Sequence, residues 1–372
     1  MLFLIDASRA NNEQKTGVEW YAYFVIQELK KIIPGDWQVI LYSREKLKGE
    51  LANLPPNWQE KVLSWPPRRL WTQVRLSLEM LRFNRHSDVV LFVPAHVLPL
   101  FCPIKTLITI HDLGGLRFPR GYSFFERFYS RFASRFALKR ATIITPSNFV
   151  KEEIKYIFKK GKVETIYNGF DNISFKENLD KNLIENTKKK YGLRKKYFLT
   201  IGRLEEKKNT NGIIQSFNIF KKDNPNFQLL LLGKPGFGFA RVKQEAENSP
   251  WKEDIIFPGW VEEKDVPYLM AGAEAFVFPS FYEGFGIPIV ESFAVGTPVI
   301  TSNLASMPEI SHGAALLVNP YQPIEIATAL EELIKDENLK REIILKGFIR
   351  AKDFSWKATA KGVFEVVLRL IK

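Results

Sequence analysis

FPSFYEGFGIPIVESFAVGTPVI, residues 278–300, is the stretch whose reading decides the fold. An apolar strand, AFVFP (275–279), stops at Pro279-Ser280, and a loop holding Gly284 and Gly286 leads into a helix with Pro288 near its first turn. Glycines there let the backbone come close to a ligand and leave N–H groups at the positive end of a helix. Glu283 lies in the loop, and Glu291 follows eight residues later inside the helix. One carboxylate can hold the hydroxyls of a sugar while the other holds those of a ribose. For either glutamate alone, an ordinary exposed turn is the better reading; for the whole string it is not.

The same strand–loop–helix rhythm extends outward in both directions. Towards the C-terminus the strand candidates are YFLTI (197–201), FQLLLL (227–232), IIF (255–257), PVIT (298–301) and AALLV (314–318). Towards the N-terminus they are LFLID (2–6), WQVILY (37–42), VVLFV (89–93), TLITI (106–110) and ATIIT (141–145). A helical pattern runs from Val18 to Ile32, and Ser147 is placed to cap another helix. The expected class is α/β, with two doubly wound parallel-sheet domains facing a central cleft. Residues 171–196, rich in Asn and Lys, read as a linker. The predicted divisions are 1–190, 191–355 and a C-terminal helix, 356–372, folding back towards the first domain.

A second signal, IGRLEEKKN (201–209), directly follows a strand, so Arg203 and Lys208 fall in the loop at its carboxyl end. A diphosphate leaving group needs concentrated positive charge, which Arg and Lys supply without a metal. Together the two signals resemble the GT-B-fold glycosyltransferases of family four, retaining enzymes with two Rossmann-like domains. The family's paired glutamates correspond to Glu283 and Glu291, and its Gly-Arg…Lys-Asn element to Gly202, Arg203, Lys208 and Asn209. Weaker similarities run in the family's order through nearly the whole chain: IDASR with Thr16-Gly17, TIHDL (109–113), TPSNFVKEEI (145–154), IYNGFD (166–171), LLGKPG (231–236), FPGWV (257–261), SMPEI (306–310) and FSW (354–356). One departure is mild: the first loop reads Gly17-Val18-Glu19 where the family often has Gly-Gly or Gly-Ile.

The resemblance implies roles. Arg203 and Lys208 neutralise the donor diphosphate, Glu291 holds the ribose, and Glu283 holds the donor sugar. The amides of Gly284, Phe285 and Gly286 cradle the sugar or distal phosphate, and Gly17 lets the first loop approach the diphosphate. His111 lies near the anomeric carbon, and Trp260 and Val261 border the nucleobase. The implied reaction is front-face substitution, with the leaving phosphate assisting deprotonation of the acceptor. No Asp-x-Asp metal motif occurs in the sequence, so no metal and no cofactor are expected. The compact length and the LWTQVRLSLEML stretch resemble bacterial α-mannosyltransferases of surface-polysaccharide assembly. That makes GDP-mannose the first donor expected, with UDP-glucose and UDP-N-acetylglucosamine next, and a glycan or lipid-linked acceptor. His111 has a plainer reading, a satisfied buried histidine at a strand end, but its pairing with Asp112 favours a place in the site.

Composition sets the remaining bounds. The 372 residues are long for one domain, and the single cysteine, Cys102, excludes an internal disulfide and fits a reducing compartment. The start, MLFLIDAS, lacks the features of a signal peptide, and prolines with His96 and Lys105 interrupt the apolar stretch 89–110. A cytoplasmic protein is expected, peripheral at the inner face of the membrane. The net charge of +13 is lopsided: residues 1–170 carry 26 basic against 15 acidic side chains, residues 171–372 carry 28 against 26. Two basic amphipathic stretches contribute: 68–85, with Trp71, Val74, Leu78 and Leu81 beside Arg68, Arg75 and Arg82, and 124–139, with rows of Phe and of Arg. Both suit an anionic membrane surface; in the second, the aromatics are expected in the core. Rival readings are weaker. A nucleotide-sugar epimerase of the same fold would release free sugar without an acceptor. A dehydrogenase would need a glycine fingerprint that GKPGFG (233–238) does not match. A nucleic-acid binder would leave the two glutamates without a job.

Overall fold

The computed structural model describes the backbone of every residue except 66–69, 84–87, 119, 120, 122, 123, 160 and 260; side chains 124–127, 129 and 130 are likewise outside it. The chain divides into two compact units. One comprises residues 1–116, 123–169 and 355–372; the other comprises 117–122 and 170–354.

The first unit is built on β1 (Leu2–Asp6), β2 (Gln38–Ser43), β3 (Trp58–Val62), β4 (Val89–Val93), β5 (Lys105–Thr109), β6 (Thr142–Thr145) and β7 (Lys162–Thr165). They form one parallel sheet in the order β3-β2-β1-β4-β5-β6-β7. The inner strands are continuous buried apolar runs, as a parallel sheet covered on both faces requires. β3 and β7 read WQEKV and KVET, and the sequence pattern passes over them. Both are edge strands, each held by a ladder to one neighbour, so they need no apolar run.

The helices of this unit are α1 (Gly17–Ile32), α2 (Leu76–Met80), α3 (Gly114–Arg117), α4 (Phe124–Arg140) and α5 (Asn148–Phe158). A single π-helical turn, Trp71–Arg75, precedes α2. Ser147 caps α5 as expected, its Oγ accepting from the Val150 amide at 3.2 Å. The expectation that the α4 aromatics are core is corrected: Phe128 and Phe132 are exposed, and of the described row only Phe136 packs on the core. The small side chains Ala133, Ser134 and Ala137 take the buried side instead.

The second unit is built on β8 (Lys196–Ile201), β9 (Phe227–Leu232), β10 (Ile255–Ile256), β11 (Ala275–Phe278), β12 (Val299–Ser302) and β13 (Leu316–Val318). This sheet is also parallel, in the order β10-β9-β8-β11-β12-β13. Its helices are α6 (Lys181–Lys190), α7 (Thr210–Lys221), α8 (Phe239–Glu247), α9 (Val266–Ala271), α10 (Ile287–Val295), α11 (Met307–Ser311), α12 (Pro323–Lys335) and α13 (Glu337–Ala351). The Asn- and Lys-rich segment 171–196 thus contains α6, capped by Asp180 accepting from the Asn182 amide at 2.8 Å. Lys188, Lys189 and Lys190 sit in its last turn, where cations complement the helix dipole. Several of the segment's lysines are ion-paired inside the unit, among them Lys190 with Asp265 at 2.7 Å and Lys195 with Asp254 at 2.8 Å.

The last helix, α14 (Trp356–Ile371), belongs to the first unit. Trp356 stacks on Phe24 of α1 at 5.4 Å and meets Tyr21 edge-on at 5.9 Å. Thr359 donates to the Tyr167 carbonyl at 2.8 Å. A Cβ on Gly169 would stand 2.1 Å from the Trp356 amide nitrogen, so only glycine lets the two segments cross. Among the described residues, no helix is long and apolar enough to cross a membrane.

A second crossing tests the β8–β9 register. Gly233 has φ +153°, and a Cβ there would lie 1.6 Å from the Gly202 carbonyl oxygen. Gly233→Ala is expected to lower stability by about 3 kcal/mol, through clash and backbone strain together. Urea denaturation measures this, and an unchanged midpoint would mean that the two loops do not cross.

Candidate active site

In the second unit the winding reverses between β8 and β11, which lie side by side. The chain leaves β8 towards β9 on one side and leaves β11 towards β12 on the other. Loops at such a switch point separate and open a crevice at the carboxyl ends of the strands. The two loops here are 202–209 and 279–286, the two segments marked out in the sequence.

They are tied to each other. The Phe281 amide donates to the Lys207 carbonyl at 3.0 Å. Lys208 Nζ forms an ion pair with Glu283 Oε1 and stands 4.8 Å from the centroid of the Phe278 ring. Glu283 is buried, so its negative charge requires this partner. An ammonium has three protons, and Glu283 takes one of them, leaving donors for a further oxyanion. Arg203 is exposed and has no ion-pair partner among the described residues. Gly202, at φ +148°, faces the Lys208 side chain, and a Cβ there would meet Lys208 Cε at 3.5 Å.

The glycine loop is held from a third direction. Ser306, fully buried, donates to the carbonyls of Glu283 at 2.9 Å and Phe285 at 3.2 Å. Both hydrogen bonds belong to one hydroxyl, which therefore shares its proton between them. SMPEI stands out in the sequence by resemblance only; the clamp role of its serine has no local signal, because it depends on a contact 23 residues away. Thr301 holds the end of β11 by donating to the Phe278 carbonyl at 2.8 Å. Gly286, at φ +96°, caps α10 in a conformation that favours glycine.

Glu291 sits just over one turn into α10 and is half-buried. Burial, with a smaller push from the Asp171 carboxylate, raises its pKa to about 8. Val261 is buried beside Gly259, which has φ +73°. Trp260 lies outside the described residues.

The first unit carries the other two predicted residues. Gly17 opens α1, and nothing lies within 4 Å of where its Cβ would be. Glu19 accounts for the departure in this loop: it completes a capping box, accepting from the Thr16 amide at 3.1 Å, and pairs with Arg9 at 3.2 Å. His111 follows β5, its Nε2 3.1 Å from the Pro94 carbonyl and its ring edge-on to Tyr21 at 4.7 Å. A carbonyl only accepts, so Nε2 carries the proton and Nδ1 keeps a lone pair. Burial, reinforced by the neighbouring His96, lowers its pKa to about 4, so His111 is neutral at pH 7. Asp112 accepts from the Gly114 amide at 2.8 Å, turning the chain into α3.

The same unit has a surface depression of about 320 Å³, bordered by the loop after β1, by Trp20 and Tyr23 on α1, and by Lys48–Leu51. Lys15 Nζ hangs over both rings, 5.1 Å from Trp20 and 5.2 Å from Tyr23.

Two family patterns match the chain. The family described as "Glycosyltransferase Family 4" matches residues 15–172, and "Glycosyl transferases group 1" matches residues 184–348. The chain belongs to the family-four, group 1 glycosyltransferases. It is 35% identical to O-antigen chain mannosyltransferase B of Escherichia coli over 43% of this chain and 42% of that protein. It is 27% identical to O-antigen chain mannosyltransferase RfbU of Salmonella typhimurium, over 75% and 73% of the two chains. The chain thus spans less than half the length of the first curated relatives it matches. In fold it is similar to the Anabaena protein HepE, crystallised with UDP-glucose, with a TM-score of 0.76, 18% identity and 99% of each chain covered. The fold is GT-B.

The raised pKa of Glu291 gives the chain a pH signature. Between about pH 4.5 and pH 8 the folded chain keeps a proton that the unfolded chain has lost, so folding stability falls as pH rises through that window. Relative to wild type, Glu291→Gln is expected to gain on the order of 3 kcal/mol between pH 5 and pH 8. Paired urea melts at the two pH values measure the difference; parallel curves would mean that the carboxylate is solvated.

Proposed function

We propose that the chain transfers a hexose from a nucleotide-diphosphate sugar to a glycan or lipid-linked acceptor, with retention at the anomeric carbon and without a metal ion. The observation that carries this reading is the pairing of Lys208 with Glu283 at the switch point, beside the exposed Arg203. Arg203 and the remaining Lys208 protons take the diphosphate, and Glu283 Oε2 accepts from the sugar's hydroxyls. Glu291 accepts from the ribose. Protonated at neutral pH by its burial, it gives up its proton more readily once two hydroxyls donate to it. The amides of Gly284 to Gly286 and the N-terminus of α10 face the sugar or distal phosphate, and Val261 borders the base through its backbone.

In the step itself the bond from C1 to the phosphate oxygen breaks, and the bond from C1 to the acceptor oxygen forms on the same face. The acceptor's proton passes to the leaving phosphate. The cations stabilise the charge that develops on that phosphate, which is where a loose transition state puts it. His111, neutral through its low pKa, serves as a hydrogen-bonding neighbour of the transferred sugar and not as a charged acid.

GDP-mannose is the donor we favour, supported by the two similar O-antigen mannosyltransferases. UDP-glucose is the second candidate, supported by the ligand of the Anabaena structure. The acceptor reading is supported by the depression at Trp20 and Tyr23. The ring edges offer apolar contact to the C–H groups of a sugar, and Lys15, Lys48 and Glu13 supply polar partners around them. We assign the activity to the cytoplasmic side of the membrane, in line with the single cysteine.

A screen of nucleotide sugars by thermal shift and by hydrolysis tests the donor. GDP-mannose is expected to raise the melting point, and Arg203→Ala to weaken its binding ten- to a hundredfold, the cost of one charge-assisted contact. If no nucleotide sugar shifts the melting point, with EDTA or with added divalent metal, the transferase reading fails. For the acceptor, Trp20→Ala is expected to raise the KM for acceptor glycan at least tenfold while donor hydrolysis stays unchanged. Equal effects on both would remove the depression from the acceptor site.

A further inference from the structure

Arg350, in the last turn of α13, lies outside the stretches marked out in the sequence, yet its guanidinium is closely held. Nε donates to the Ile310 carbonyl and Nη2 to the Glu309 carbonyl, each at 2.9 Å. Nη1 pairs with Asp353 at 2.8 Å, and the guanidinium carbon stands 4.5 Å from the centroid of the Phe354 ring. The two carbonyls close α11, a five-residue helix with no further turn to take up its last acceptors. A lysine would reach one of them; the planar fork of an arginine spans both and lies on a ring as well.

Both sets of contacts lead to the glycine loop. α11 begins directly after Ser306, whose hydroxyl holds the carbonyls of Glu283 at 2.9 Å and Phe285 at 3.2 Å. Phe354 is buried and meets the Phe285 ring edge-on, with centroids 5.5 Å apart. One guanidinium therefore fixes the far end of the helix that grips the loop's backbone, and also the ring that packs on the loop's phenylalanine.

The base from which Arg350 acts is itself fixed. α13 packs on α10 so closely that glycines line the contact. A Cβ on Gly296 would stand 2.7 Å from Phe348 Cζ, and one on Gly347 would stand 3.0 Å from Phe293 Cδ1. Capping α11 needs only a donor at its end. A nearly buried fork that also stacks on the ring against Phe285 is more than a cap requires, and both of its branches end on residues 283–285.

We propose that Arg350 is a positioning residue for the donor sugar, setting through α11 and Phe354 where Glu283 and the amides of 284–286 stand. The proposal rests on the reading of that loop as the part of the donor site that holds the sugar. Arg203 and Lys208 stand on the other loop, and Glu291 stands inside α10. Loss of Arg350 is therefore felt by the sugar more than by the nucleoside diphosphate.

Isothermal titration of the full chain with GDP-mannose, GDP, UDP-glucose and UDP tests this selectivity. Arg350→Lys is expected to weaken the nucleotide sugar about tenfold and the matching nucleoside diphosphate less than about twofold. Ser306→Ala is expected to give the same selective loss. Combined with Arg350→Lys it adds little, because both act through one loop. Hydrogen exchange without ligand is expected to show the amides of 284–286 exchanging about tenfold faster in Arg350→Lys, with those of β11 unchanged. Melting curves establish that each variant is folded. A brace that serves stability alone would lower the melting point and leave the ratio of the two affinities as in wild type, which overturns the proposal. Loop amides that exchange at the wild-type rate, or fully additive losses in the double variant, overturn it as well. Wild type that binds neither nucleotide sugar would sink the donor reading instead, and the exchange rates then decide the role of Arg350 by themselves.

Discussion

A buried carboxylate cannot stand without a cation, and in the second unit the two groups that satisfy each other come from different loops. Glu283 belongs to the segment after β11, Lys208 to the segment after β8, and the sheet brings these strands together only because its winding reverses there. Separating the pair would leave Glu283 charged and desolvated, which is strongly unfavourable. The ion pair therefore works in two directions. It fixes the distance between the loops, and it holds a carboxylate next to cations without cancelling Arg203. The Phe281–Lys207 bond and the Ser306 clamp keep the backbone around it from relaxing. A crevice assembled this way exists before any ligand arrives, which is what an electrostatic site needs if little reorganisation is to accompany reaction.

How much of this could be read in advance follows from the range of each interaction. The alternation of strand and helix is local, and β1, β4 and β9 lie where the apolar runs are. The two loops of the site were legible because glycines, a proline and two glutamates fall within a few residues of a strand end. Ser306 was not legible as a clamp, since a serine before a short helix looks the same whether it holds a distant carbonyl or faces water. The edge strands β3 and β7 were lost for the opposite reason: an edge needs only one ladder and can be polar. The outward phenylalanines of α4 show the limit of pattern reading. Periodicity gives the faces of a helix but not which face the sheet receives.

The first unit is organised around aromatic rings more than around charge. Trp20 stacks on Phe24, Phe24 on Trp356, and Trp356 meets Tyr21, which touches His111. This train of rings runs from the depression on α1 to the end of β5 and includes the first residue of α14. Gly169 makes it possible, because no other residue would let the chain pass the Trp356 backbone. The low pKa of His111 follows from the same packing: rings exclude water from one side, and the nearby His96 adds a second reason to stay neutral.

The lopsided charge of the chain now has a physical division behind it. In the second unit the less exposed cations are already committed: Lys190, Lys195, Lys221 and Lys208 pair with Asp265, Asp254, Asp254 and Glu283. That unit can be nearly neutral and still present Arg203 to a small anion, because one free cation in a partly enclosed crevice attracts far more strongly than the same cation in bulk water. The first unit keeps its excess at the surface, where each charge is weak alone and effective only in numbers. A few fixed charges suit a diphosphate, whose oxygens sit at fixed distances from each other.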